Sequence, residues 1–312
     1  MNCDSFKAMV GRSISDHLEK MIWSDDEHLQ IGGTRFQLGL DRSMYVATST
    51  TQEFILLKNR WLVENTITRL PPCIDNMIEL GIFMGGSIAL YEEIYSPRRL
   101  VGVDIASKRV EELDGYLNSR AATERVRLCY GIDQNDRLSL ERVARENFSD
   151  RSLDLVVDDA SHRYEPSRTS LNVLLPLLRP GGIYLLEDWA WAHWPDCDTF
   201  QAGVEGVDSD VYSYQKSPMT RLVFEAVMLA GSRPGIISDV YIDSSRVFLT
   251  RGPDDVAGEN FDIARAYRTS RWSLDFRRRM RPIDMWRKWM PYSVRSKVPS
   301  GLAGRLRGHA VR

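Results

Sequence analysis

The sequence predicts a doubly wound α/β protein built on a mostly parallel sheet of seven strands. Three observations carry that expectation. Short apolar runs of four to six residues alternate with helical stretches from residue 77 onward, the pattern of a sheet buried on both faces. A glycine-rich break, Gly81 to Gly86, follows the first run at once. Acidic residues then stand at the ends of later runs: Asp104, Asp158-Asp159 and Glu187-Asp188. The carboxyl ends of strands are where such a sheet binds ligands.

Met77 to Leu80 opens the alternation and is followed by a helical segment over Ser87 to Ile94. Leu100 to Ile105 is the second strand, with a helical stretch from Ser107 to Ser119. Val126 to Tyr130 is the third. Leu153 to Val157 is the fourth, before a Leu-rich helix from Pro166 to Leu178. Ile183 to Leu186 is the fifth, introduced by Pro180-Gly181-Gly182. Ile236 to Ile242 and Arg246 to Thr250, separated by Asp243-Ser244-Ser245, read as an antiparallel hairpin.

Upstream, Phe54, Leu57, Trp61, Leu62 and Ile67 fit a helical stripe from Thr51 to Leu70, ended by Pro71-Pro72. Residues before it show no clean period. The expected organisation is therefore an N-terminal helical, lid or oligomerisation segment (1–70), a Rossmann-like domain (71–252) and a basic amphipathic extension (253–312).

Composition narrows the class. The chain is 43% hydrophobic and 27% charged, with a mean hydropathy of -0.32, as in ordinary globular proteins. No run of 18 apolar residues appears, so no transmembrane helix is expected. The N-terminus lacks the basic flank and apolar run of a signal peptide. Cys3, Cys73, Cys129 and Cys197 form no CxxC pair, which suits neither a zinc knuckle nor a disulfide scaffold. A cytoplasmic, reducing setting is expected.

Net charge is -2, but it is unevenly spread. From Arg271 to Arg312 twelve Lys and Arg face only Asp275 and Asp284, so the rest of the chain is strongly acidic. In this tail Phe276, Met280, Ile283, Trp286, Trp289 and Met290 alternate with basic residues. Such a helix suits peripheral contact with an anionic membrane surface; the blander alternative packs its apolar stripe on the body. No nucleic-acid module is recognisable, and a nucleic-acid partner is not expected.

The glycine segment sits where a strand ends and a helix begins, so backbone N–H groups there can approach a ligand closely. It is not the GxGxxG spacing that serves a pyrophosphate. Asp104 ends the second strand about 20 residues on, placed to accept hydrogen bonds from a ribose. Gln134, after the third strand, offers an amide to an adenine edge, although polar residues there also favour turns for local reasons.

Glu79-Leu80-Gly81 with Gly85-Gly86-Ser87, followed by Val101-Gly102-Val103-Asp104, resembles the first two motifs of class I S-adenosylmethionine-dependent methyltransferases. The adjacent glycines and serine resemble the metal-dependent macrolide-sugar and rhamnosyl O-methyltransferases, of the tylosin and mycinamicin types. The resemblance spans roughly residues 75 to 250. It implies S-adenosyl-L-methionine as cofactor, with Glu79, Gly81, Gly85, Ser87, Asp104 and Gln134 at its site. Asp158 is a further candidate, for the substrate or the cofactor's amino group.

Asp158-Asp159-Ala160-Ser161-His162 after the fourth strand and Glu187-Asp188-Trp189 after the fifth form the other half of the site. If these strands are neighbours, Asp159, Glu187 and Asp188 converge. Crowded carboxylates repel one another unless a cation neutralises them. Oxygen ligands suit Mg²⁺, with Mn²⁺ or Ca²⁺ as alternatives, and zinc is disfavoured without Cys or a second His. A neutral alcohol is a weak nucleophile, so methyl transfer to oxygen benefits from a metal that acidifies and orients it. His162 is a candidate general base. In the resembled enzymes the matching residues have these roles, so Asp159 and His162 are expected to be catalytic and Asp159, Glu187 and Asp188 to hold metal. Ala160 departs from the glycine usual in that family.

The aromatic segment from Trp189 to Tyr214 is placed to cover a substrate, or to form a satellite cluster or dimer contact. His193 within it is a second base or an ordinary loop histidine. The expectation is an Mg²⁺- and S-adenosylmethionine-dependent O-methyltransferase acting on a sugar hydroxyl of a glycosylated natural product or glycolipid, as a homo-oligomer. Alternatives are a phenolic acceptor, a different reaction of the same cofactor, such as cyclisation or decarboxylation, and a non-catalytic partner protein. The catechol-type pattern has Lys after the first aspartate, where this chain has His162, which favours the sugar branch.

Overall fold

A computed structural model describes residues 14–149, 151–193, 218–256 and 260–268. Trp194, Phe200, Tyr212 and Tyr214 of the aromatic segment, and the basic tail, lie outside the described residues.

Strands β5 (Asn76–Leu80), β6 (Arg99–Asp104), β7 (Val126–Tyr130), β8 (Leu153–Asp158), β9 (Leu178–Leu186), β10 (Ile237–Ile242) and β11 (Val247–Arg251) form one sheet in the order β10-β11-β9-β8-β5-β6-β7. Neighbours from β9 to β7 run parallel, and β11 is antiparallel to both β9 and β10. The seven-stranded, mostly parallel sheet is as expected. Along the strands, burial alternates between faces: Met77, Leu155 and Val157 join one core, while Ile78, Leu80 and Val156 join the other.

Helices α2 (Arg60–Arg69), α3 (Gly86–Tyr95) and α4 (Glu111–Ser119) cover the first face. Helices α5 (Arg137–Asn147), α6 (Tyr164–Leu174), α7 (Thr220–Ser232) and α8 (Ile263–Ala266) cover the second. Local chemistry sets several starts. The Asn59 side chain caps α2 by accepting from the Leu62 N–H, and Asp136 caps α5 through the Ser139 N–H. No described helix is long and apolar enough to cross a membrane.

The N-terminal segment departs from the helical expectation. Helix α1 (Ile14–Glu19) is short, and β1 (Met21–Trp23), β2 (His28–Ile31), β3 (Thr34–Leu38) and β4 (Glu53–Leu56) form a separate four-stranded sheet. Its buried residues Leu29, Ile31, Phe36, Leu38, Phe54 and Leu56 join the first core. The helical stripe read over Thr51 to Leu70 is therefore strand near its start: Phe54 lies in β4, and only residues 60–69 are helix. Short apolar runs satisfy both periods, so tertiary packing decides between them. Helices α5 and α7 were not anticipated.

Candidate active site

The chain reverses its direction of travel across the sheet between β5 and β8, neighbours separated in sequence by two strands. At that point the two outgoing loops diverge to opposite faces and leave a crevice at the strand ends. Here it is a cleft of about 1070 Å³, with Gly81, Phe83, Asp104, Gln134, Asp159, His162, Glu187 and Asp188 among its lining residues.

Gly81 sits at φ +97°, and a Cβ there would overlap the Asp159 carbonyl oxygen. The Asp159 N–H donates to the Leu80 carbonyl at 3.0 Å. The glycine thus lets the tips of β5 and β8 close together. Beyond it, the Asp104 carboxylate accepts from the N–H groups of Ile82 (2.7 Å), Phe83 (3.0 Å) and Ala106 (2.7 Å). Those three amides are satisfied internally. Asp104 instead fixes the loop, and a carboxylate has about four acceptor sites, which leaves capacity for a ribose hydroxyl.

Glu79 is fully buried on β5, and neither of its oxygens has a hydrogen-bond partner of ordinary geometry. Burial pushes its pKa up to about 8, with the nearby Ser87 hydroxyl opposing. It does not line the cleft, so direct contact with a cofactor there is not what the structure provides. Gly85 precedes α3 at φ +81°, and Ser87 lies in its first turn at the cleft.

Asp158 and Gln134 are tied into one network. The Gln134 Nε2 donates to Asp158 Oδ1 (2.6 Å) and Ser170 Oγ (2.9 Å), and its Oε1 accepts from the Ser161 N–H (3.2 Å). Asp158 Oδ2 accepts from Ser170 (2.8 Å) and Tyr184 (3.0 Å), 1% of the residue is exposed, and it does not line the cleft. Burial raises the Asp158 pKa to about 6 despite these donors. Both side chains belong to a buried network that pins the segment before His162; Asp158 is enclosed in it, while Gln134 also lines the cleft.

The tips of β8 and β9 are adjacent, with the Glu187 N–H donating to the Asp158 carbonyl at 3.0 Å. They bring one ligand-capable atom each from Asp159, His162 and Asp188 within 4.8 Å of one another. His162 and Asp188 adopt positive φ, +51° and +50°, a strained geometry typical of functional loops. Buried Trp191 donates from Nε1 to the His162 carbonyl at 2.7 Å, and Ser245 of the hairpin turn donates to Asp188 Oδ1 at 2.7 Å. His162 Nε2 stands 3.8 Å from Asp159 Oδ1.

Glu187 lines the same cleft beside this group but is not one of the three. Its Oε2 pairs instead with Lys58 Nζ, which also donates to Asp159 Oδ2 at 3.0 Å. Lys58 is 7% exposed. Burial works against its charge, but Asp159 and Glu187 hold its pKa well above the ordinary value. Burial and repulsion from Asp159 raise Glu187 to about 7, with Lys58 opposing. Burial would raise Asp159, yet Lys58 and His162 pull it below the usual carboxylate range. Sequence reasoning missed Lys58. Its only signal was a charged residue directly after an apolar strand and before the Asn59 cap.

His193 bonds Thr220 Oγ1 at 2.6 Å, and Trp189 donates from Nε1 to the Asp243 carbonyl at 2.9 Å; neither lines the cleft.

A seven-stranded sheet of this order, with a cleft at its reversal point and a motif-bearing loop on β5, is the doubly wound α/β architecture expected from the sequence. Residues 78–189 match a family model described as a methyltransferase domain. The resemblance to macrolide-sugar O-methyltransferases also holds. The chain is 38% identical over 112 residues to the mycinamicin VI 2''-O-methyltransferase of Micromonospora griseorubida, covering 36% of this chain and 24% of that protein. It is 35% identical over 126 residues to the demethylmacrocin O-methyltransferase of Streptomyces fradiae, covering 38% of this chain and 28% of the relative. The matches thus span about a quarter of the relatives' length. Among solved structures, the mycinamycin-pathway methyltransferase MycE in complex with Mg and SAH is similar at 26% identity and TM-score 0.40, over 57% of this chain and 45% of that one.

Proposed function

We propose that this chain is an S-adenosylmethionine- and Mg²⁺-dependent O-methyltransferase acting on a sugar hydroxyl of a glycosylated natural product or glycolipid. The observation that carries the reading is the meeting of Asp159, His162 and Asp188 in the same cleft as Gly81 and Asp104. The named activities of the relatives, both methyl transfer to oxygen, favour the same reading.

The residues fit these groups. Two carboxylates suffice for Mg²⁺, which keeps other positions for water or substrate oxygens, so Asp159 and Asp188 hold the ion. When bound, S-adenosylmethionine supplies an electrophilic methyl group and the divalent ion acidifies the acceptor hydroxyl. Asp104 stands at the end of β6 for the ribose. His162 accepts the hydroxyl proton at Nε2, a role open to it only while that nitrogen is not itself a ligand. Trp191 and the Gln134–Asp158 network hold the His162 segment in place, and Trp191 itself lines the cleft.

The test is transfer of a labelled methyl group to a panel of glycosides, with product mass spectrometry. Activity is expected to vanish with chelator and to return with Mg²⁺. Full activity in chelator removes the metal from the reading, and methylation of phenols but not glycosides moves the acceptor to the phenolic class.

A further inference from the structure

The cleft, about 1070 Å³, exceeds the ~300–1,000 Å³ of a pocket for one drug-sized ligand, so it has room for an acceptor beside a cofactor. Its apolar walls fall into two groups. Phe83 and Ile105, both exposed, stand next to Gly81 and Asp104 on the cofactor half. Leu40 and Trp61, also exposed, come from the N-terminal segment and line the same cleft with partly buried Leu57 and Leu62. Large apolar side chains gathered at one opening mark a contact surface. No step above uses this second group.

The second group belongs to the metal half. Trp61 lies in the first turn of α2, three residues after Lys58, whose ammonium donates to Asp159 Oδ2 at 3.0 Å. The Arg246 guanidinium lies over the Trp61 ring, 5.0 Å from its centroid. The residue before Arg246, Ser245, donates to Asp188 at 2.7 Å. Arg246 is itself fixed by bonds to the Leu62 carbonyl, Asn65 and Asp243. The indole is therefore held in place while 51% of the residue stays exposed. A platform fixed beforehand loses little freedom when a ligand covers it.

The polar side chains between these apolar ones are already committed. Asn59 Oδ1 accepts from the Leu62 N–H, and Lys58 pairs with Asp159 and Glu187. The wall thus offers mainly apolar surface rather than partners for sugar hydroxyls, and it suits the part of an acceptor that is not sugar. We infer that Trp61, with Leu40, is a specificity-determining residue that packs against an apolar, ring-bearing aglycone while a hydroxyl of the attached sugar meets the carboxylates. This rests on the glycoside-methylating reading proposed above. A flat indole backed by a guanidinium pairs best with another ring and gains less from a single alkyl chain.

The experiment measures methyl transfer, with Mg²⁺ and S-adenosylmethionine, to the 2-naphthyl, octyl and methyl glycosides of rhamnose, fucose and glucose. For the sugar that is methylated, wild-type kcat/KM is expected to be at least about tenfold higher for the naphthyl than for the methyl glycoside, mainly through KM. Trp61→Ala and Trp61→Leu, the second keeping apolar volume without a flat face, are each expected to bring that ratio within about threefold of one. Their affinity for S-adenosylhomocysteine, read by calorimetry, is expected within about threefold of wild type, whereas a merely structural tryptophan would take cofactor binding down with it. No naphthyl preference in wild type, an octyl glycoside that matches or exceeds the naphthyl one, or a preference kept in the Trp61 variants overturns the inference. So does loss of S-adenosylhomocysteine binding in both variants. In each of these cases Mg²⁺-dependent methylation of a glycoside by the wild-type chain keeps the proposed function. Methylation of no glycoside overturns both.

Discussion

Replacing Glu79 by Gln should stabilise the protein, and increasingly so as pH rises. The Glu79 carboxyl is fully buried, lacks a well-formed hydrogen bond at either oxygen, and has its pKa raised from 4.5 to about 8 by burial. Between those two values the folded chain holds a proton that the unfolded chain has released. The folded state therefore binds more protons, and unfolding free energy falls with rising pH. The stabilising contribution is complete below pH 4.5 and is lost as pH rises through about 8. At about 1.4 kcal/mol per pH unit the whole shift corresponds to roughly 5 kcal/mol, an upper bound. Denaturant melts of the metal-free, cofactor-free protein at pH 5, 7 and 8.5 measure it. The stability difference between Glu79→Gln and wild type should grow by at least about 2 kcal/mol across that range. Asp158 and Glu187 also have raised values and contribute slopes of the same sign, but they are present in both proteins and cancel in the difference. A difference independent of pH would refute the reasoning, since it would show Glu79 already ionised in the folded state.

Three other outcomes are expected. Gly81→Ala should cost about 2–4 kcal/mol in chemical denaturation, because a side chain at φ +97° meets the Asp159 backbone; a cost under 0.5 kcal/mol would mean that the strand tips are not closed as described. Arg246→Met should cost about 3–5 kcal/mol, because the buried guanidinium donates to the Leu62 carbonyl (2.7 Å) and Asn65 Oδ1 (2.9 Å) of α2 and to Asp243 Oδ2 (2.7 Å). Thermal melting checks it, and an unchanged midpoint would show that the hairpin turn and α2 are not tied. His162→Asn should lower kcat by about 10²–10⁴ with KM little changed; a rise in KM alone would make His162 a binding group rather than the base.

Much of the candidate site was legible because ligand-binding residues of such a sheet sit at strand ends, and strand ends can be read from apolar runs. Gly81, Asp104, Asp159, His162 and Asp188 all line one cleft, as their positions after β5, β6, β8 and β9 required. Glu187 lines it too, and crowding among carboxylates does not by itself reveal which cation faces them. The neutralising cation was expected to be a metal, and a lysine 129 residues away supplies part of that charge. The partners of Gln134 and Asp158 were hidden for a similar reason. Polar side chains at strand ends were expected to face a ligand, whereas Ser170 and Tyr184 arrive from α6 and β9 to satisfy them.

The sequence by itself determined the central sheet, because alternation of apolar strands with helices has few compact solutions and the side-chain period of two assigns each face. It also determined which loops bear the reactive groups. Only the tertiary structure decided the N-terminal sheet, whose short runs carry no period of their own, and the partners of each buried charge. Those partners come from distant segments, and the free energy of burying a charge depends on what the fold places beside it, which no local pattern encodes.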